Sequence, residues 1–125
     1  MYSQTHLHSV QIYYEDTDHS GSVYYANYLR YFERAREHMF GVNLLVQLQK
    51  EKGIGFVVYK LDVTYKAAAH YGDTLEIQTT PKRESDYRLV ISQNVVRPSD
   101  DTLVVLGSVQ LAAVNADGVL VSLPV

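Results

Sequence analysis

The chain has 125 residues, one domain of ordinary size, and with 46% apolar and 20% charged residues it is expected to bury a real core and not to be disordered. It has no cysteine, which excludes a disulfide framework and any cysteine-based zinc site, and its net charge of −3, spread along the chain, excludes a broad basic field for nucleic acid while leaving room for a local phosphate pocket. No apolar run approaches the ~20 residues of a membrane span, and the N-terminal MYSQTHLHSVQ is too polar for a signal peptide, so the expected location is cytoplasmic.

In chain order, residues 7–14 (LHSVQIYY) read as a strand whose His8, Val10, Ile12 and Tyr14 form the more apolar face. The acidic run Glu15, Asp16, Asp18 breaks it, and Ser20-Gly21-Ser22 is turn material. The period then changes. Tyr25, Tyr28, Leu29, Phe32, Ala35 and Met39 share one face of a helix expected over 23–40, with i,i+3 pairs Arg30/Glu33 and Arg34/Glu37 on the other. Gly41 suits its end, and a short second helix is expected over 44–50.

Beyond Gly55 the alternation has period two almost to the end. Val57, Tyr59, Leu61, Val63, Tyr65 and Ala67 fall on one face of a strand. Further strands are expected over 74–80, 87–96 and 103–115, separated by breakers at 70–73, 81–86, 98–101 and 116–118. Gaps this short permit antiparallel hairpins and not parallel crossovers. The fold class is α+β: an antiparallel sheet of about five strands curled around one long helix, as a single domain over 1–125. Edge strands of such a sheet invite pairing with a second copy.

The acidic run has three readings from spacing alone. Asp16 and Asp18 can make Asx-turns and cap the coming helix. Asp16-x-Asp18-x-Ser20-Gly21 matches the first half of an EF-hand calcium loop, but Asn27 stands at the twelfth position and a strand precedes the loop. Alternatively, a carboxylate sits beside a helix N-terminus whose first N–H groups lack internal partners and face a developing oxyanion. The acid then serves as nucleophile or as general base on water.

The run YYEDTD..G.VYY.NYL..FERARE, over 11–37, resembles the signature of the hotdog-fold acyl-CoA thioesterases, nearest to the 4-hydroxybenzoyl-CoA and the tol–pal-associated groups. YGDTLEI at 71–77 resembles their recurring strand opening. The resemblance implies hydrolysis of acyl-CoA to free acid and coenzyme A, with Asp18 as the catalytic carboxylate and the backbone N–H of Tyr25 polarising the thioester carbonyl. Gly21 falls on the family glycine, Asn27 and Tyr28 on the NY pair, and Glu33 on the helix glutamate. It implies no metal and no cofactor beyond the coenzyme A of the substrate. It also implies a homodimer joined sheet edge to sheet edge, or a tetramer of such dimers, with active sites at the dimer interface.

Tyr25 stands where many tol–pal-type members carry His, and KAAAH at 66–70 replaces a segment that often holds Pro. The first change bears on substrate choice; a main-chain donor survives it. His19 reads as lining the mouth of the site or as a solvated loop residue, and Tyr24, at the helix start, as substrate-binding or as core and dimer-interface packing. Lys82, Arg83 and Arg88 are the local cations that suit coenzyme A phosphates, or serve as ordinary solvated charges at strand ends. Tyr28 reads as core, and Asp16 as support for the turn. The alternative function is a hotdog module that holds an acyl thioester without cleaving it. A hydratase of the same fold normally pairs its Asp with a distinct His motif, which this sequence lacks.

Overall fold

Alternating apolar side chains and one helical stripe dictate a sheet with a helix on its inner face. In a computed structural model, which describes residues 3–125, the elements are β1 (His6–Gln11), a 3-10 turn (Tyr14–Asp16), α1 (Asn27–Phe40), α2 (Val42–Lys52), β2 (Gly55–Tyr65), β3 (Thr74–Ser85), β4 (Arg88–Arg97), β5 (Thr102–Val114) and β6 (Leu120–Val121). The described strands form one antiparallel sheet in the order β1-β3-β4-β5-β2, with β6 beside the end of β5. α1, about 21 Å long, lies across the inner face and buries Tyr28, Tyr31, Phe32, Ala35, Met39 and Phe40.

Four local expectations are corrected. α1 begins at Asn27, not at 23, because Ser22 and Val23 are taken up in bridges to His70 and Thr17 and the Tyr24 N–H donates to the Asp16 carbonyl. The helical stripe rotates accordingly: Tyr31 turns inward, and Tyr25 and Leu29 stay exposed. β3 continues through Pro81 to Ser85. The Pro81 carbonyl accepts the Ser3 N–H on the β1 side, beyond the last β1 rung at His6–Thr79, so its missing donor interrupts no ladder bond.

In β2 a one-residue bulge at Tyr59 resets the alternation, so Phe56 and Val58, not Val57, share the inner face with Leu61, Val63 and Tyr65. Finally, Arg30/Glu33 and Arg34/Glu37 do not close as ion pairs among the described residues. The two-residue β6 carries no alternation that could have announced it.

The registers place Gln11, Thr74, Arg97, Thr102 and Tyr65 at one end of the sheet, and Ser85, Arg88, Val114 and Gly55 at the other. We call these the acidic-loop end and the hairpin end. α1 starts at the first and runs toward the second, where Phe40 stacks on Phe56 at 4.8 Å.

The contact of α1 with the sheet centres on Phe32, which is fully buried. It lies over Gly107 of β5, where a Cβ would stand 2.7 Å from the Gln93 carbonyl oxygen and 2.9 Å from the Phe32 ring. Beside it, Gln93 Nε2 donates to the Phe32 carbonyl at 2.9 Å and to Thr79 Oγ1 at 3.0 Å. The Arg36 guanidinium donates to Gln93 Oε1 at 3.0 Å. The buried amide therefore has a partner for each of its ends. Gly107→Ala should push α1 off the sheet, with an overpacking cost of about 1–3 kcal/mol. A thermal melt should show Tm lowered by about 3–12 °C.

Candidate active site

Asp16 organises the loop between β1 and α1. Its Oδ2 accepts the Tyr13 N–H at 2.8 Å, and its Oδ1 accepts the Tyr31 hydroxyl at 2.7 Å. Its carbonyl accepts the Tyr24 N–H at 3.0 Å and Asn27 Nδ2 at 2.9 Å. One residue thus pins the loop to the first turn of α1. Burial, and then this bond to the carboxylate, push the Tyr31 phenol well above its ordinary value.

Asp18 is held within the same loop, in the turn closed by the Thr17–Val23 bridge. Its N–H donates to the Ser22 carbonyl at 2.9 Å, and its carbonyl accepts the Gly21 N–H at 3.0 Å. Gly21 has φ +84, which the turn requires, and a Cβ there would meet nothing within 4 Å in the subunit. The Asp18 carboxylate remains accessible. Its Oδ1 accepts the Ser20 hydroxyl and the Ser20 N–H, the latter at 2.9 Å. These two bonds hold Asp18 below the usual carboxylate range, with a small further push from His19. The acid is therefore ionised at neutral pH, as a base or nucleophile must be.

Tyr25 precedes Ala26, the N-cap of α1. Its carbonyl accepts the Tyr65 hydroxyl at 3.2 Å. Its N–H finds no acceptor among the described residues, whereas the flanking N–H groups of Tyr24 and Asn27 are both bonded. An unpaired N–H at a helix start is a ready donor for an oxyanion. The Tyr24 and Tyr25 rings lie 4.9 Å apart with their planes tilted by 50°, and Tyr25 meets Tyr65 edge-on at 6.0 Å. The Tyr24 phenol is pushed up first by its bond to the Tyr25 phenol and, more weakly, by the Asp18 charge. Tyr28 is core, and burial pushes its phenol up to about 12.

The remaining expected site residues divide. His19 is exposed beside Asp18. Lys82, Arg83 and Arg88 lie on the β3–β4 hairpin, eight or more residues along β3 from Thr74 and so about 26 Å away at the far end of the sheet. Arg83 pairs with Asp86 at 3.4 Å, and Arg88 with Glu84 at 3.8 Å while lying over the Tyr59 ring. Within one subunit the hairpin cations and Asp18 do not meet.

Two larger cavities also avoid Asp18. One, of about 470 Å³, lies at the hairpin end between α1, α2, β2 and β5; Phe40, Leu45, Leu48, Ile54 and Phe56 line it, with Glu33, Arg36 and Glu37 on its rim. The other, of about 540 Å³, lies between α1 and β1. The Asx-turn read at Asp18 closes on Ser20, and the support read at Asp16 extends to the Tyr31 hydroxyl in α1. Sequence reasoning missed the Arg36–Gln93 network, which depends on a contact between distant elements.

A family model described as the thioesterase-like superfamily matches residues 13–124. The acyl-CoA thioester hydrolase YbgC of Escherichia coli O6:H1 is 41% identical over 96 residues, 75% of this chain and 71% of that protein. The acyl-CoA thioesterase YbgC of Haemophilus influenzae is 39% identical over 90 residues, 70% of this chain and 66% of that protein. Among solved structures, a probable thioesterase from Bartonella henselae superposes with a TM-score of 0.88 at 28% identity, covering 97% of this chain and 100% of that one. A 1,4-dihydroxy-2-naphthoyl-CoA thioesterase from Synechocystis gives 0.89 at 20% identity, covering 97% and 90%, and bears on the fold alone. Sheet order, helix placement and sequence agree: the chain belongs to the thioesterase-like superfamily, among its hotdog-fold acyl-CoA thioesterases.

Proposed function

We propose that this protein hydrolyses acyl-CoA thioesters with Asp18 as the attacking or deprotonating carboxylate and the Tyr25 N–H as the oxyanion donor. The observation that carries this reading is that one loop, between β1 and α1, holds both a carboxylate kept ionised by Ser20 and a main-chain N–H that lacks an acceptor among the described residues. With Asp18 as general base, water loses a proton to the carboxylate as its oxygen bonds the thioester carbon. The oxyanion leans on the Tyr25 N–H. Collapse breaks the C–S bond, and the proton on Asp18 leaves with the thiolate. With Asp18 as nucleophile, its carboxylate oxygen bonds the thioester carbon and the C–S bond breaks to release the thiolate, leaving a mixed anhydride. Water then adds to the acyl carbon, breaks the anhydride C–O bond, frees the acid and returns the Asp18 carboxylate. A thiolate leaves readily, so neither route draws on a metal or prosthetic group.

The site is completed by a second copy in this reading. β2 is an edge strand, and its inner-face residues Val58, Leu61 and Tyr65 are only half covered by α1, with Leu29 and Tyr25 exposed alongside. Exposed apolar edges favour pairing. An antiparallel β2–β2 pair about a two-fold axis reverses the partner's sheet end for end. The partner's hairpin end then adjoins the acidic-loop end of the first subunit. Its apolar cavity offers room for an acyl chain, and its Lys82, Arg83 and Arg88 offer partners for the phosphates of coenzyme A. A cytoplasmic location accords with this substrate. Among the described residues no helix is long and apolar enough to cross a membrane.

Asp18→Asn should lower turnover by roughly 10²–10⁴-fold on the best acyl-CoA of a panel, read by thiol release, with Tm unchanged. Wild-type rates in that variant would leave a binding module without catalysis by this acid. Ser20→Ala removes the larger of the two bonds that depress the Asp18 carboxyl. The acid limb of the kcat/KM–pH profile, where activity fades as Asp18 gains its proton, should therefore shift to higher pH. Leu61→Lys places a charge on the inner face of the β2 edge, where 42% of the leucine is exposed. It should shift the protein toward monomer in sedimentation and lower activity in step, whereas Asp62→Lys on the outer face should do neither.

A further inference from the structure

The groove of about 540 Å³ between α1 and β1 lies on the opposite flank of α1 from the β2 edge and takes no part in the chemistry above. Its helix wall carries Arg30, Arg34 and His38 at i, i+4 and i+8, one row of cationic groups along α1. His8 stands across from them on β1, and the His8 and His38 rings stack with centroids 4.8 Å apart and planes 22° apart. Among the described residues neither Arg30 nor Arg34 has a carboxylate within salt-bridge distance.

The groups that face this half of the groove can be counted by element. β1 contributes His8, with His6 next along the same face; His6 Nε2 is buried without a hydrogen-bond partner among the described residues. β3 sets Ile77 and Thr79 opposite His8 and His6, neither of them charged. α1 contributes Arg30, Tyr31, Arg34 and His38, while its Glu33 and Glu37 line the other cavity. The acids of the groove sit at its acidic-loop end. Asp16 there has both carboxylate oxygens engaged by Tyr13 and Tyr31, and Glu15 and the Tyr13 side chain lie beside it. Arg34, His8 and His38 thus lie within one another's electrostatic reach, with Arg30 one helical turn closer to the Asp16 and Glu15 end, and among the described residues no carboxylate forms an ion pair with either arginine. Burial, His38 and Arg34 all hold His8 below its ordinary value. A bound anion opposes that repulsion and favours the imidazolium forms.

We propose that this groove is a second ligand site, which takes a phosphate-class anion between Arg30, Arg34 and the His8–His38 pair and takes up protons as it does so. Guanidinium forks match phosphoryl oxygens two at a time, and two forks one helical turn apart suit a ligand with more than one phosphoryl group. The volume admits more than a bare phosphate ion. The ligand is either a free coenzyme A molecule, held by its nucleotide end apart from the acyl-CoA being cleaved, or an independent phosphate metabolite.

Inorganic pyrophosphate is the probe, titrated calorimetrically into the full chain at about pH 6 and about pH 8. Saturable binding is expected, with at least about threefold higher affinity at the lower pH and heats that depend on the buffer's ionisation enthalpy. Pyrophosphate itself loses charge toward pH 6, so tighter binding there must come from the protein. The double variant Arg30→Gln/Arg34→Gln should lose at least about tenfold in affinity. His38→Gln should keep arginine-dependent binding and lose most of the pH difference. Displacement of pyrophosphate by coenzyme A assigns the groove to the nucleotide end; its failure to displace assigns it to a separate metabolite. The proposal is overturned if the double variant, folded by its melt, binds like wild type. No saturable heat from wild type up to ~10 mM pyrophosphate at the lower pH would also sink it. Thiol release by the same variants reads the catalytic proposal separately.

Discussion

The fold depends on how closely α1 approaches the sheet over Gly107. Without a Cβ at that point, Phe32 reaches the backbone of β5, and the Gln93 amide reaches the Phe32 carbonyl. The apolar contact and the polar one set the same distance. Burying an amide in a core is unfavourable unless both its ends are satisfied, and here Thr79 and Arg36 complete the set. Arg36 is itself drawn under the helix by this bond, flanked by Glu33 and Glu37. The helix is thereby fixed in rotation as well as in height, and the direction in which its first turn points is fixed with it.

That direction matters because the loop carrying Asp18 is built against the first turn and not against the sheet alone. Asp16 binds the chain on both sides of the loop, from Tyr13 to Tyr31, through side chain and carbonyl together. The two acids of the Asp-Thr-Asp run thus separate by environment. One spends all its acceptors on structure, and the other keeps an open carboxylate whose ionised form is favoured by the neighbouring serine. Exposure and hydrogen bonding, not residue type, distinguish them.

Much of this was legible in the residues. The α+β class, the long helix and the main strands follow from periodicity, breakers and a long motif. What escaped has physical causes. The periodicity that carried the helix back to residue 23 is genuine, but β-bridges at Ser22 and Val23 outcompete helical bonds there. Pro81 reads as a breaker, yet it falls where a ladder bond was not needed. The bulge at Tyr59 is invisible because an inserted residue in a strand is itself a plausible strand residue. Ion pairs expected from i,i+3 spacing gave way because Arg30 and Arg34 turn toward the β1 groove while Glu33 and Glu37 line the opposite cavity.

The acidic loop and the apolar cavity stand at opposite ends of one sheet, joined by strands about eight residues apart in register. Few side chains belong to both. Within one subunit, substitutions that enlarge or narrow the cavity are therefore separated from Asp18 by a stiff span of hydrogen-bonded backbone. The loop that shapes the Asp18 carboxylate can keep its geometry while the cavity walls vary, so the two ends of the subunit are free to change independently.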